Sequence, residues 1–156
     1  MTNDPLTNDP MTNNLTALLE SLKTDIIHSL QAKGKYTTGQ TAQQITVTAE
    51  ADTAQLNLPA YLLTLETGRR PTGQNATQSV PPMIERIQDW CKAKGIPDKA
   101  AWAIKKSIDK HGYKGSAGVL SEPLSDGNIN LRLTPVAEKI ADALVQQIAV
   151  AVDSDQ

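Results

Sequence analysis

Phenylalanine is absent from this sequence, and three tyrosines and two tryptophans are its only aromatic residues. Any core must therefore be aliphatic, filled by Leu, Ile, Val and Ala. Cys91 is the only cysteine. That excludes an intrachain disulfide and fits a reducing compartment. No apolar run approaches the ~18–20 residues needed to span a bilayer. The opening Met-Thr-Asn-Asp-Pro has neither the basic start nor the apolar stretch of a secretion signal. The two histidines, His28 and His111, stand far apart, with no second ligand at metal spacing. No membrane partner, metal or cofactor is expected.

What is present fits one folded domain: 156 residues, 39% of them hydrophobic. The net charge of −2 conceals a division. Residues 60–115 carry ten Lys or Arg against five Asp or Glu, a net +5, which leaves −7 for the rest. A basic middle between acidic ends suits a chain that meets copies of itself or a charged neighbour; it is equally the mark of solvated helix faces.

Residues 1–13 contain the duplication Thr-Asn-Asp-Pro at 2–5 and 7–10, too polar and turn-rich to fold, and read as a disordered tail. From Asn14 the pattern is helical. Leu15, Leu18, Leu19, Leu22, Ile26 and Leu30 share a face, and Gly34 follows as a stop. Ile45, Val47 and Ala49, then Ala54, Leu56 and Leu58, alternate with polar residues around Ala51-Asp52-Thr53, which predicts a β-hairpin with one buried face. Pro59–Thr67 reads as a two-turn helix ended by Gly68, with a strand as the alternative, and 69–80 reads as a polar loop. Pro81-Pro82 opens a helix striped by Ile84, Ile87, Trp90 and Cys91 and ended by Gly95. A second helix carries Ala101, Ile104 and Ile108 on one side, largely away from Lys105, Lys106 and Lys110. Residues 113–127 read as a long loop. Ile129, Leu131 and Leu133 predict a strand, after which Thr134 caps and Pro135 opens a last helix. The expected architecture is α+β: an N-terminal helix, a small antiparallel sheet, a helix pair and a C-terminal helix. It forms a single domain over 14–152, with 153–156 frayed.

No grouping of side chains points to catalysis. Cys91 lies on a predicted core face, where free cysteines are commonly inert. Glu50 and Asp52 flank a turn, as solvating acids do. Gly34-Lys35-Tyr36 lacks the leading glycine and the hydroxyl of a phosphate-binding loop. The chain is therefore read as having no catalytic residues. Segment 82–112 has the outline of a helix-turn-helix. Its second helix offers mainly Lys99, Lys105, Lys106 and Lys110, which suit phosphates better than base edges. A nucleic-acid-binding module is the alternative reading.

The most distinctive stretch is Tyr61 to Gly115. It contains Glu66-Thr67-Gly68-Arg69-Arg70-Pro71, then Pro81-Pro82, then Ile87, Trp90 and Lys94-Gly95-Ile96. Ala101-Trp102-Ala103 and Gly112-Tyr113-Lys114-Gly115 follow. This run, about a third of the chain, resembles the tail-completion or head–tail connector (neck) proteins of tailed bacteriophages, the gene-10-type family of lambdoid phages. The resemblance implies a non-enzymatic virion subunit that forms a ring of its own copies around the DNA channel. It would meet portal, connector or tail proteins, with packaged DNA passing through, and be made in the host cytoplasm. It also implies an interface drawn from Glu66, Arg69, Arg70, Pro71, Lys105, Lys106, Lys110 and Tyr113. The tail and the 113–127 loop would become ordered on docking.

Overall fold

The computed structural model describes residues 10–50, 53–73, 76 and 80–153. Helix α1 (Pro10–Ala32) starts ahead of the expected Asn14, so the last part of the expected tail is helical; its first nine residues lie outside the described residues. The apolar stripe does what its spacing dictates. Leu22, Ile26 and Leu30 are buried, and Leu15, Leu18 and Leu19 are half-buried. A five-residue helix that the sequence pattern does not announce, α2 (Gln40–Gln44), then leads into Ile45. Strands β1 (Thr46–Glu50) and β2 (Thr53–Asn57) form the expected hairpin, with Thr46 opposite Asn57 and Val47 opposite Leu56. One face of the hairpin lies on α1. Helix α3 (Tyr61–Thr67) buries Leu62 and ends where Gly68 donates its N–H to the Thr64 carbonyl.

A second two-stranded sheet pairs β3 (Gly68–Arg69) with β4 (Tyr113–Lys114), residues expected to be loop. Between these strands stand α4 (Met83–Ala93) and α5 (Asp98–His111), packed on each other. Ile87, Cys91 and Ala101 form their core, flanked by Met83, Ile84, Ile96, Ile104 and Ile108. Trp90 does not belong to that core as expected. It lies at the edge of the stripe and is 42% exposed, because Ile87 and Cys91 already fill the contact with Ala101.

The expected strand at 129–133 is helix. α6 runs unbroken from Asp126 to Asp153, with Pro135 inside it. The apparent alternation buries neither Leu131, 74% exposed, nor Leu133, 40% exposed. The residues that decide the segment are Asn128, Arg132 and Val136, at helical spacing. Asn128 and Arg132 both reach Asp25 of α1. The start lies at Ser125, whose hydroxyl accepts the Asn128 N–H, and not at Thr134. Pro135 removes one helical bond, at a cost of about 3 kcal/mol, which the packing of α6 on α1 must offset.

The main core joins distant parts of the chain: Ile26, Leu30, Ile45, Leu62 and Val119 are all fully buried together. Val119 comes from the 113–127 segment. That segment is built into the body, with Leu120 and Leu124 also packed against this core.

Candidate functional site

The two halves of the distinctive motif meet. Residues 65–69, leaving α3, run antiparallel to residues 112–116, leaving α5. Gly68 faces Lys114 and Arg69 faces Tyr113. The Ser116 N–H donates to the Leu65 carbonyl at 2.7 Å. The two backbones approach too closely for side chains. A Cβ on Gly112 would lie 2.3 Å from the Arg69 carbonyl oxygen, and one on Gly115 would lie 2.3 Å from that of Glu66. A Cβ on Gly68 would lie 2.4 Å from the Tyr113 carbonyl oxygen. Gly68 and Gly112 also hold φ of 87° and 75°, which L side chains rarely adopt. The spacing Glu-x-Gly-Arg-x-Pro with Gly-x-x-Gly is thus the imprint of a backbone crossing.

Glu66 locks this crossing. Its carboxylate accepts the N–H groups of Gly118 and Leu120, both at 2.8 Å, and the Ser121 hydroxyl at 2.6 Å. Partial burial by itself would raise the carboxyl pKa. The Ser121 hydroxyl and the amides of Leu120, Gly118 and Val119 more than reverse that and hold it down at about 2. The captured turn is fixed from its other side as well. The Ser29 hydroxyl donates to the Gly118 carbonyl, and Lys33 pairs with Glu122 at 3.2 Å. Glu66 was expected at a subunit interface; here its acceptors are used inside the chain.

Arg69 is likewise turned inward. Its guanidinium donates to the Met83 sulfur and, at 3.0 Å, to the Thr72 hydroxyl. That hydroxyl donates to Asp109 at 2.6 Å, and the Thr72 N–H reaches the Asp109 carbonyl at 2.8 Å. Lys105 completes the set by pairing with Asp109 one helical turn away. The Asp109 pKa is lowered, first by the Lys105 hydrogen bond and then by the Thr72 hydroxyl. This chain of contacts fastens the loop after β3 to the end of α5.

Of the residues expected at an interface, Arg70, Pro71, Lys106 and Lys110 are exposed. Tyr113 is half-buried, with the Lys35 ammonium 5.6 Å above its ring. The motif thus divides into a scaffold (Glu66, Arg69, Lys105 and the glycines) and a basic surface. Trp102, 62% exposed, shares that surface. Its position between Lys99 and Lys106 at helical spacing was a signal in the sequence that charge counting passed over. Ser121, Thr72 and Asp109 gave none, because their partners are distant along the chain.

No family model, curated protein or solved structure matches this chain. Other groupings are sparse. Among the described residues, no group of three His, Cys, Asp or Glu could hold a metal ion. Cys91 is fully buried. Glu50 is exposed at the end of β1, and Asp52 lies outside the described residues. An open groove of about 590 Å³ gathers Asp25, His28, Lys33, Glu122 and Arg132, but its charges are paired, Asp25 with Arg132 and Lys33 with Glu122. Among the described residues, no helix is long and apolar enough to cross a membrane.

Proposed function

We propose that this protein is a structural subunit of a tailed-bacteriophage virion. In this reading it is a head–tail connector, neck or tail-completion protein that assembles as a ring around the DNA channel. The motif that resembles that family supports the reading. So does one observation: the motif's glycines and its Glu66 are spent on a rigid crossing, while Arg70, Lys106 and Lys110 are left exposed around the end of α5. A scaffold that presents a charged face suits docking, where rim charges set register and partner choice.

Light scattering on the purified protein, alone and with portal-bearing particles, tests this. Ring-sized species, or a monomer that becomes one on the particle, are expected. A monomer that ignores such particles would overturn the reading.

The exposed Trp102 between Lys99 and Lys106 favours a second reading, a nucleic-acid surface using 82–112. Bases stack on exposed aromatic rings, and phosphates pair with flanking lysines. Affinity for duplex or single strands that falls steeply with salt would support it.

A further inference from the structure

Among the described residues, two helix faces stand exposed without a partner, and they are opposite in character. On α5, Ala101, Ile104 and Ile108 point to α4. Lys99, Trp102, Lys106 and Lys110 follow one another at spacings of three, four and four residues, so they form one stripe on the other side. All four are exposed. Asp109, beside this stripe, is taken by Lys105 and Thr72, so it does not neutralise it.

On α6, Asn128 and Arg132 face α1. Leu131, Glu138, Asp142 and Val145 lie at spacings of seven, four and three residues, again one stripe. Leu131 is 74% and Val145 65% exposed. Among the described residues, none of Lys99, Lys106, Lys110, Glu138 or Asp142 takes part in an ion pair.

We infer that these faces bind each other between copies, the Trp102 stripe of one chain against the Leu131–Val145 stripe of the next. The inference rests on the assembly reading above and names its surfaces. Three properties select a second copy as the occupant. The charges are opposite, lysines against Glu138 and Asp142. Each stripe carries large apolar side chains left in water, Trp102 on one and Leu131 and Val145 on the other. The lengths agree: at 1.5 Å per residue the stripes run roughly 16 and 21 Å. Because the two patches differ, the contact is head-to-tail, and such contacts close into rings or continue as filaments. A nucleic acid would occupy the α5 stripe and leave the acidic α6 stripe unused.

The test is charge reversal in the full chain, read by light scattering across a concentration series. Lys106→Glu with Lys110→Glu is expected to give monomers, and so is Glu138→Lys with Asp142→Lys. Mixing the two variants restores assembly, because each supplies the stripe the other lacks and the reversed stripes also match. Trp102→Ala is expected to weaken association about tenfold or more. All these positions are exposed, and unchanged thermal melting confirms that each variant folds.

A wild-type chain that stays monomeric at every concentration overturns the inference. Assembly that survives either reversal also overturns it, while leaving the ring reading intact. Reversal at Lys106 and Lys110 that abolishes oligonucleotide binding, with Glu138 and Asp142 reversal having no effect on any readout, overturns it in favour of nucleic acid. Rescue on mixing, in a protein that ignores portal-bearing particles, upholds the pairing and sinks the virion role.

Discussion

The core around Ile26 and the core around Cys91 are built from different kinds of contact. The first gathers α1, the residue before β1, α3 and the turn that holds Val119, all distant in sequence. The second is local, two consecutive helices closing on Ile87, Cys91 and Ala101. Between them stands the glycine crossing, held by backbone hydrogen bonds and by the Glu66 carboxylate. A body made of long-range contacts should unfold as one unit. A local helix pair can open separately if the crossing gives way. The crossing is therefore where the behaviour of the molecule is decided.

The largest effect is expected from the crossing itself. Gly112→Ala adds a Cβ 2.3 Å from a backbone oxygen at a φ of 75°, and neither conflict can be relieved by a side-chain shift. A loss of more than about 4 kcal/mol is expected in urea unfolding, or failure to fold. An effect under about 1 kcal/mol would mean that the two strands do not meet this closely.

Leu62→Ala is expected next, at about 3 kcal/mol, from a cavity in the main core. It should lower protection against hydrogen exchange throughout α1, the hairpin and α3. Ile87→Ala should instead expose α4 and α5 first. If both substitutions lower protection equally everywhere, the two cores form one cooperative unit and the contrast between them is lost.

Glu66→Gln is expected to cost about 2 kcal/mol at neutral pH, because a charged acceptor of three hydrogen bonds is lost. It also has a pH signature. The Glu66 pKa is about 2 in the fold and ordinarily 4.5. Its contribution is therefore complete above about pH 4.5 and disappears as the pH falls through about 2. Denaturation titrations of the wild type should show stability rising over that window. The Glu66→Gln variant should show a shallower rise.

Thr72→Val is the smallest, at about 1 kcal/mol, since it removes the hydroxyl bridging Arg69 and Asp109 but keeps the backbone bond from residue 72. Its effect should appear as faster exchange near the end of α5 and not in α1.

Much of this fold was legible in the sequence, where burial and periodicity agree. The stripe from Leu15 to Leu30, the alternation around Ile45–Leu58 and the stops at Gly68 and Gly95 all follow from one-face burial or from chain reversal. Legibility ended where two patterns competed. Ile129, Leu131 and Leu133 alternate, and Thr134-Pro135 has the form of a helix start. The bonds of Asn128 and Arg132 to Asp25 instead make the segment helical from Asp126. Of the expected interface residues, Arg70, Pro71, Lys106 and Lys110 are exposed, whereas Glu66, Arg69 and Lys105 are engaged within the chain. Charge and position along the chain could not separate these groups, because the separation depends on which backbone lies opposite.

By itself the sequence determined the aliphatic core, the amphipathic helices, the hairpin and the basic middle, because each is set by side chains within a few residues of one another. Only the tertiary structure decided that residues 65–69 cross residues 112–116, that Glu66 captures the turn at 118–121, and that Trp102 and Leu131 remain in water. Those outcomes depend on contacts between residues far apart along the chain, and no local pattern encodes which distant partner a side chain will meet.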